Sequence, residues 1–157
     1  MAEAPVLIGY DGSPSAAEAI ALAASLLGAR PAVVVSVWSP APVEAVGYGA
    51  TADFSVAAPA YFSDVDNTIE KQAREMAEQG ARIAREAGFD AEARSAQGNS
   101  AWPGIVDAAA AVDAAAIVVG ARGLSGLKSV LLGSTSKGVL NHAGRPVLVV
   151  QNAGASD

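Results

Sequence analysis

The sequence of 157 residues has no cysteine, a single histidine and an excess of acidic over basic side chains. Without cysteine there is no disulfide framework, no thiolate nucleophile and no cysteine-based zinc site, which agrees with a reducing compartment. One histidine likewise excludes a histidine cluster. The formal net charge of −6 would repel a polyphosphate backbone, so the composition disfavours general nucleic-acid binding.

Long apolar runs are also absent from the sequence. No uninterrupted apolar stretch approaches the roughly 20 residues that span a bilayer. The start, Met1 to Pro5, lacks the basic segment and apolar run of a secretory signal. We therefore expect a cytoplasmic protein with no membrane partner. The length fits one domain over residues 1–157, with residues 1–4 and 151–157 frayed.

Short apolar runs alternate with segments of helical periodicity along the chain. Val6–Tyr10, Ala32–Trp38 and Ala115–Val119 are apolar at nearly every position, as in strands buried on both faces of a parallel sheet. Because parallel neighbours need crossover connections, the alternation predicts an α/β fold. We expect a single-domain, open five-stranded parallel sheet with four helices distributed over both faces.

Two segments depart from this simple alternation. Residues 40–63 are rich in Ala, Gly and Pro and have no sustained period, which predicts a long loop. A long helix should follow, with Ile69, Ala73 and Met76 on one face. Ala91–Ser95 alternates polar and small residues, which predicts a weaker strand near an edge of the sheet.

Ligands of open α/β sheets bind outside the carboxyl ends of the strands, so the strand exits are the candidate sites. Asp11-Gly12-Ser13 follows the first predicted strand, and a glycine-rich segment follows the fourth. In that segment Gly120 and Gly123 lack a Cβ and would let the backbone turn sharply and approach a ligand. These two exits are the candidates for a binding site.

The glycine-rich segment runs on to a predicted helix start that suits an anion. Gly133 opens this helix, whose unpaired N–H groups and positive dipole end attract negative charge, and three residues add hydroxyl donors: Ser134, Thr135 and Ser136. Three basic residues raise the local positive potential: Arg122, Lys128 and Lys137. The pattern is typical of a polyphosphate cradle, but it equally describes a mobile loop with a capping serine and solvated bases.

The spacing Gly120-x2-Gly123-x9-Gly133-Ser134 resembles the nucleotide signature of ATP-binding universal stress proteins. The similarity extends to Val6-x-x-Gly9-Tyr10-Asp11-Gly12-Ser13 at the start and to Arg145–Val150 at the end, so it covers nearly the whole chain. The resemblance implies ATP, with Mg²⁺, as the bound cofactor. It also implies a Rossmann-like fold of the adenine nucleotide α-hydrolase type, adjacent first and fourth strands, and a homodimer formed through the last strand.

The resemblance further implies a set of nucleotide contacts. These are Gly9, Asp11, Val37, Val119, Gly120, Arg122, Gly123, Gly133, Ser134 and Thr135. Asp11 would lie near the ribose or a phosphate-bound Mg²⁺, Val37 would line the adenine slot, and the residues after the fourth strand would hold phosphates. Family members often have His-Val where this chain has Val37-Trp38, which leaves base selectivity open.

These features predict an ATP-binding regulatory module of the stress response with no catalytic residue. No dedicated general base is evident, so we expect at most slow hydrolysis of ATP. One alternative is an enzyme that transfers or cleaves phosphate or adenylate, with Asp11 holding Mg²⁺. Another is a nucleotide-independent interaction protein. The sequence identifies neither the stress nor a protein partner.

Overall fold

The computed structural model describes residues 2–41, 52–122 and 132–151, with residues 52–58 described by their backbone alone. Five strands are present: β1 (Val6–Gly9), β2 (Pro31–Trp38), β3 (Asp90–Gln97), β4 (Ala116–Gly120) and β5 (Val147–Val150). The four helices within these ranges are α1 (Pro14–Leu27), α2 (Ala52–Ala87), α3 (Ala101–Ala111) and α4 (Ser134–His142). The predicted single-domain α/β fold is confirmed.

All five strands form one parallel sheet in the order β3-β2-β1-β4-β5. The chain builds outward from β1 through β2 to β3 and then crosses back to β4, which pairs with the other side of β1. The adjacency of the first and fourth strands is therefore confirmed, as is the edge position of β3. The crevice between β1 and β4 is where the strand order reverses, the usual place for a ligand in such sheets.

The core consists of two apolar layers, one on each face of the sheet. Because successive strand residues point to opposite faces, Ile8 packs with α1 and α2 on one side, and Leu7 packs with α3 and α4 on the other. The apolar residues of β1, Val6 to Ile8, have no solvent exposure. Continuous apolar runs in the sequence therefore indicate strands that helices cover on both faces of the sheet.

The loop predicted over residues 40–63 is wrong in its second half, because α2 already begins at Ala52. The segment is rich in alanine, the strongest helix former, and it extends a long amphipathic helix without needing a new nucleus. Pro59 lies inside α2 and belongs to the proline content that, with the lack of a period, predicted a loop. Residues 42–51 lie outside the described part of the chain.

The ends of the chain were expected to be frayed. Residues 2–5 have no helix or strand, whereas Met1 and residues 152–157 fall outside the described ranges. Among the helices that the structure describes, none combines the length and the apolar character needed to cross a membrane.

Candidate functional site

A cavity of about 650 Å³ opens at the carboxyl ends of β1, β2 and β4. The first turns of α3 and α4 form part of its wall, and α2 covers it from one side. This is the switch point of the sheet, so the topology itself brings separate strand exits into one concave surface.

The cavity collects nearly all the residues that the sequence identified as site candidates. Nine of the ten line it: Gly9, Asp11, Val37, Val119, Gly120, Arg122, Gly133, Ser134 and Thr135. The tenth, Gly123, lies outside the described residues, as does Lys128. The two strand exits predicted separately therefore belong to one pocket.

The first turn of α4 supplies the hydrogen-bond donors of the cavity. The N–H groups of Ser134, Thr135 and Ser136 begin the helix and have no intrahelical acceptor, and no side chain among the described residues caps this end. The Gly133 N–H, in contrast, donates to the Ala121 carbonyl at 2.9 Å. Three backbone amides and two hydroxyl groups thus remain for an anion, and the Gly133 amide is not one of them.

Ser136 fixes the position of α4 against the sheet. Its Oγ is buried and donates to the carbonyl oxygen of Gly120 at 2.6 Å, which joins the end of β4 to the first turn of the helix. The sequence predicted the Ser136 hydroxyl as a third donor to the anion, and this prediction is wrong. The Ser136 hydroxyl is committed to the scaffold, whereas Ser134 is exposed at the cavity rim.

Gly120 lacks a side chain for a reason other than the one predicted. A Cβ at this position would lie 2.7 Å from Oγ of Ser15 and 3.1 Å from its carbonyl carbon, because α1 passes directly over the end of β4. Gly120 is also not among the described glycines with positive φ. Close packing of α1 therefore favours glycine here, and the approach of the Gly120 backbone to a ligand stays a prediction.

Gly133 has one close neighbour among the described residues. A Cβ there would lie 3.3 Å from the Ala121 carbonyl oxygen, a tight contact, and 3.9 Å from the Arg122 Cα. Its backbone is extended, with φ −61° and ψ 159°, a conformation open to any residue. The fold therefore tolerates a small side chain at Gly133 better than one at Gly120.

The turn after β1 orients Asp11 at the rim of the cavity. One carboxylate oxygen of Asp11 accepts from the Ser13 N–H at 2.9 Å, and Gly12 adopts a φ of +80°, which favours glycine. Ser13 then caps α1 by accepting from the Ala16 N–H at 3.1 Å. The described residues contain no group of three acidic or histidine side chains that could hold a metal ion alone. A Mg²⁺ ion at Asp11 would take its other oxygen ligands from water or from a phosphate.

Tyr10 forms the floor beside Asp11. Its carbonyl accepts from the buried Ser36 Oγ at 2.7 Å, and its N–H donates to the Val35 carbonyl at 2.9 Å. Two causes raise the pKa of the Tyr10 phenol above its usual value: mainly burial of the ring, and to a smaller extent the negative charge of the neighbouring Asp11. The phenol is therefore uncharged at neutral pH and adds no negative charge to the cavity.

The opposite end of the cavity is largely apolar. Trp38 at the end of β2, Ile69 and Met76 on α2, and Ile105 on α3 line this part. The sequence identified Ile69, Ala73 and Met76 only as the apolar face of a helix. Periodicity shows which face of α2 is buried, but it does not show that this face reaches past the sheet to cover the cavity.

Val37 is positioned by a glycine of α3. A Cβ at Gly104 would lie 2.6 Å from a Val37 methyl group, so the helix can approach β2 only because Gly104 has no side chain. This contact brings Ala101 and Ile105 to the cavity wall. The cavity thus has an apolar end under α2 and α3, and an end with amides, hydroxyls and Arg122 at α4. Its shape and polarity suit a ligand with a flat apolar part and an anionic part.

Comparison with known proteins agrees with the architecture. The model of the Universal stress protein family matches residues 4–151. Universal stress protein YxiE of Bacillus subtilis (strain 168) is 33% identical over 147 residues, which cover 93% of this chain and 97% of YxiE.

Two solved structures have the same fold. The universal stress protein from Archaeoglobus fulgidus in complex with dAMP is 27% identical, with a TM-score of 0.58 and coverage of 95% of this chain and 98% of that one. A universal stress protein in complex with cAMP is 25% identical, with a TM-score of 0.60 and coverage of 96% and 98%. With its family signature, its sheet order and these relatives, the chain belongs to the universal stress protein family.

Proposed function

We propose that this protein binds an adenine nucleotide, ATP together with Mg²⁺, and acts in the cytoplasm as a nucleotide-dependent regulatory module. The observation that carries the proposal is the convergence of the β1 exit, the β4 exit and the first turn of α4 on one cavity. Relatives of 27% and 25% identity were solved with dAMP and cAMP, which supports an adenine nucleotide as the ligand class.

The anionic part of the nucleotide fits the α4 end of the cavity. The N–H groups of Ser134, Thr135 and Ser136 would donate to phosphate oxygens, and the helix dipole favours negative charge at this position. Arg122 lines the same region and adds a full positive charge. Mg²⁺, when bound between the phosphates and Asp11, would neutralise part of the phosphate charge.

The base fits the apolar end. Val37, Trp38 and Ile105 form a wall of suitable size, and burial of a purine against them would contribute through its apolar area. Ligand contacts would then reach from α4 across the β1 turn to α2. By mass action, the nucleotide would stabilise the conformation in which all these elements contact it. This shift in population is the physical basis of the proposed regulatory role.

Titration calorimetry with ATP and Mg²⁺ tests the proposal on protein freed of any co-purified nucleotide. We expect micromolar affinity for the wild type, of the order of −8 kcal/mol. In Gly133→Val the added methyl groups would occupy space in front of the α4 amides, so binding should be lost. Equal affinity of the wild type and Gly133→Val would contradict the proposed phosphate position.

A matched pair of threonine variants controls for general effects of substitution in a helix. Thr135→Val removes a hydroxyl that lines the cavity, whereas Thr68→Val removes an exposed hydroxyl of α2 that donates to the Asp64 carbonyl at 3.0 Å. The first change should weaken ATP binding roughly ten-fold, as loss of a hydrogen bond to a charged group does. The second should leave the affinity as it is in the wild type.

Phosphate release measured with Mg²⁺ and excess ATP separates a binding module from an enzyme. A regulatory module should show at most slow turnover. Sustained turnover that Asp11→Ala abolishes would instead identify the protein as an enzyme with Asp11 at its metal.

We further propose that two copies pair along β5. This strand is an edge of the sheet, and its Val147 and Leu148 are half-buried within one chain. The helices on either face of this edge also expose leucines: Leu22 and Leu26 on α1, and Leu140 on α4. An unpaired edge flanked by apolar side chains is suited to association with a second copy.

A further inference from the structure

The sulfur content of the chain is unusually restricted. The sequence has no cysteine and two methionines, Met1 and Met76. Any reversible oxidation of sulfur within the fold therefore falls on Met76, apart from the first residue of the chain.

Met76 lies at a contact between two parts of the candidate site. It stands on the face of α2 that covers the cavity, is half-buried and lines the cavity wall. Its thioether packs against Gly12 in the turn after β1: a Cβ at Gly12 would lie 2.8 Å from the Met76 Sδ and 3.1 Å from its Cε. The thioether therefore fills the space between α2 and this turn.

We propose that Met76 is an oxidation site and that its sulfoxide weakens the binding of nucleotide. The proposal rests on the proposed function of the cavity. A peroxide is the chemical class of oxidant. The sulfur lone pair attacks one peroxide oxygen and the O–O bond breaks. Sulfur loses two electrons, and the second oxygen leaves as water after taking up a proton. A thiol-dependent methionine sulfoxide reductase would supply two electrons and two protons to restore the thioether and release the oxygen as water.

The oxygen added to the sulfur can point toward Gly12 or into the cavity, and both positions are unfavourable for nucleotide binding. An oxygen directed toward Gly12 would force the thioether to rotate away from the turn that carries Asp11, and the packing contact between α2 and this turn would be lost. An oxygen directed into the cavity would occupy ligand space and bring a polar group among the apolar residues Ile69 and Ala73. Both outcomes lower the affinity of the same cavity.

Thermodynamic linkage requires the reverse effect as well. If the sulfoxide weakens nucleotide binding, bound nucleotide must disfavour the sulfoxide form. Because the thioether lines the cavity, a bound ligand would also cover it sterically. ATP should therefore slow the oxidation of Met76.

The experiment treats the folded wild-type chain with graded hydrogen peroxide and follows a mass increase of one oxygen on the peptide containing Met76. N-acetylmethionine amide in the same tube reports the intrinsic rate. Complete oxidation should weaken ATP binding by roughly five-fold or more, the order expected when a polar oxygen replaces apolar contacts. Reductase treatment should restore the affinity, and saturating ATP should slow oxidation of Met76 without slowing that of the free reference.

Met76→Leu is the matched control, because leucine has a similar volume but no sulfur. Its affinity before and after peroxide should be the same, whatever its starting value. Equal affinity of oxidised and unoxidised wild type, or an equal peroxide effect in Met76→Leu, would overturn the inference while leaving the nucleotide function intact. An unoxidised wild type that binds no nucleotide would overturn the proposed function itself.

Discussion

At the scale of single residues, glycines with different physical roles line the same cavity. A Cβ at Gly120 would lie 2.7 Å from the Ser15 Oγ of α1, whereas a Cβ at Gly133 would meet its nearest described neighbour, the Ala121 carbonyl oxygen, at 3.3 Å. Gly9 resembles Gly120, since a Cβ there would lie 3.0 Å from the Ile105 side chain. Gly9 and Gly120 are therefore packing requirements first, whereas Gly133 is the position where added side-chain atoms would bear on the proposed ligand.

This difference predicts unequal losses of stability from two alanine substitutions. Gly120→Ala should lower the free energy of unfolding by about 1–3 kcal/mol, the usual cost of overpacking. The added Cβ would lie 2.7 Å from the Ser15 Oγ and 3.1 Å from the Ser15 carbonyl group, and this backbone cannot rotate away. Gly133→Ala should cost under about 1 kcal/mol, since its nearest contact is 3.3 Å away. Urea denaturation followed by circular dichroism measures both values. An equal loss in the two variants would show that α1 can move away from β4.

At the scale of elements, the helix ends show how the sheet connections are stabilised. The last turn of α3 closes with Asp113 N–H donating to the Ala110 carbonyl at 3.2 Å and Ala114 N–H donating to Ala109 at 2.9 Å. After α3, Asp113 has a positive φ of 47°. A glycine takes the positive φ after α2, where Gly88 has a φ of 114°. The end of α3 thus lacks the glycine that usually relieves this conformation.

Arg145 provides hydrogen bonds at this helix end, which lacks a glycine. Its Nη1 donates to the carbonyls of Ala109 at 3.2 Å and Ala114 at 2.6 Å, and its side chain is only 21% exposed. A cation at a helix C-terminus also interacts favourably with the dipole. The arginine therefore joins the segment before β5 to the end of α3.

We expect Arg145→Met to lower the free energy of unfolding by about 1.5–3 kcal/mol, because two carbonyls lose a charged donor. Arg94→Met is the control: the Arg94–Glu92 ion pair at 2.7 Å has side chains more than half exposed, so its loss should be near zero. Thermal and urea unfolding of both variants check the difference. Similar stability of the two variants would contradict a capping role for Arg145.

At the scale of the whole molecule, the direction of the β5 backbone groups determines how a second copy could pair. The carbonyls of Pro146 and Val150 accept from Ile117 and Ala121, both at 2.9 Å, so they face β4. Alternate residues point the other way, which leaves the N–H and C=O groups of Val147 and Val149 facing away from the sheet.

Val149→Pro tests the proposed pairing without removing a bond to β4. The substitution removes one outward N–H, which an edge strand of a monomer does not need but a paired strand does. Sedimentation velocity at micromolar concentration should show the wild type at twice the chain mass of 15.6 kDa and the variant at the monomer mass. Circular dichroism confirms that the variant is folded. A wild type that sediments only as a monomer would refute the homodimer.

Much of the fold is determined by the sequence itself, because its signals are local. Apolar runs such as Val6–Ile8 specify strands buried on both faces, and Gly88 specifies the end of α2. The spacing of glycines and hydroxyl residues after β4 indicated the candidate site, including Gly133 and Thr135, before any contact was known. The start of α2 escaped this reasoning because an alanine-rich segment with Pro59 has no clear period.

Only the tertiary structure decided what these residues contact. Three findings depend on contacts between segments that are distant in sequence. Ser15 packs against Gly120, the Gly133 amide donates to Ala121, and α2 covers the cavity. Periodicity determines which face of an element is buried, because burial repeats with the geometry of the backbone. It carries no information about the angle at which one element crosses another, and that angle sets the shape of the cavity.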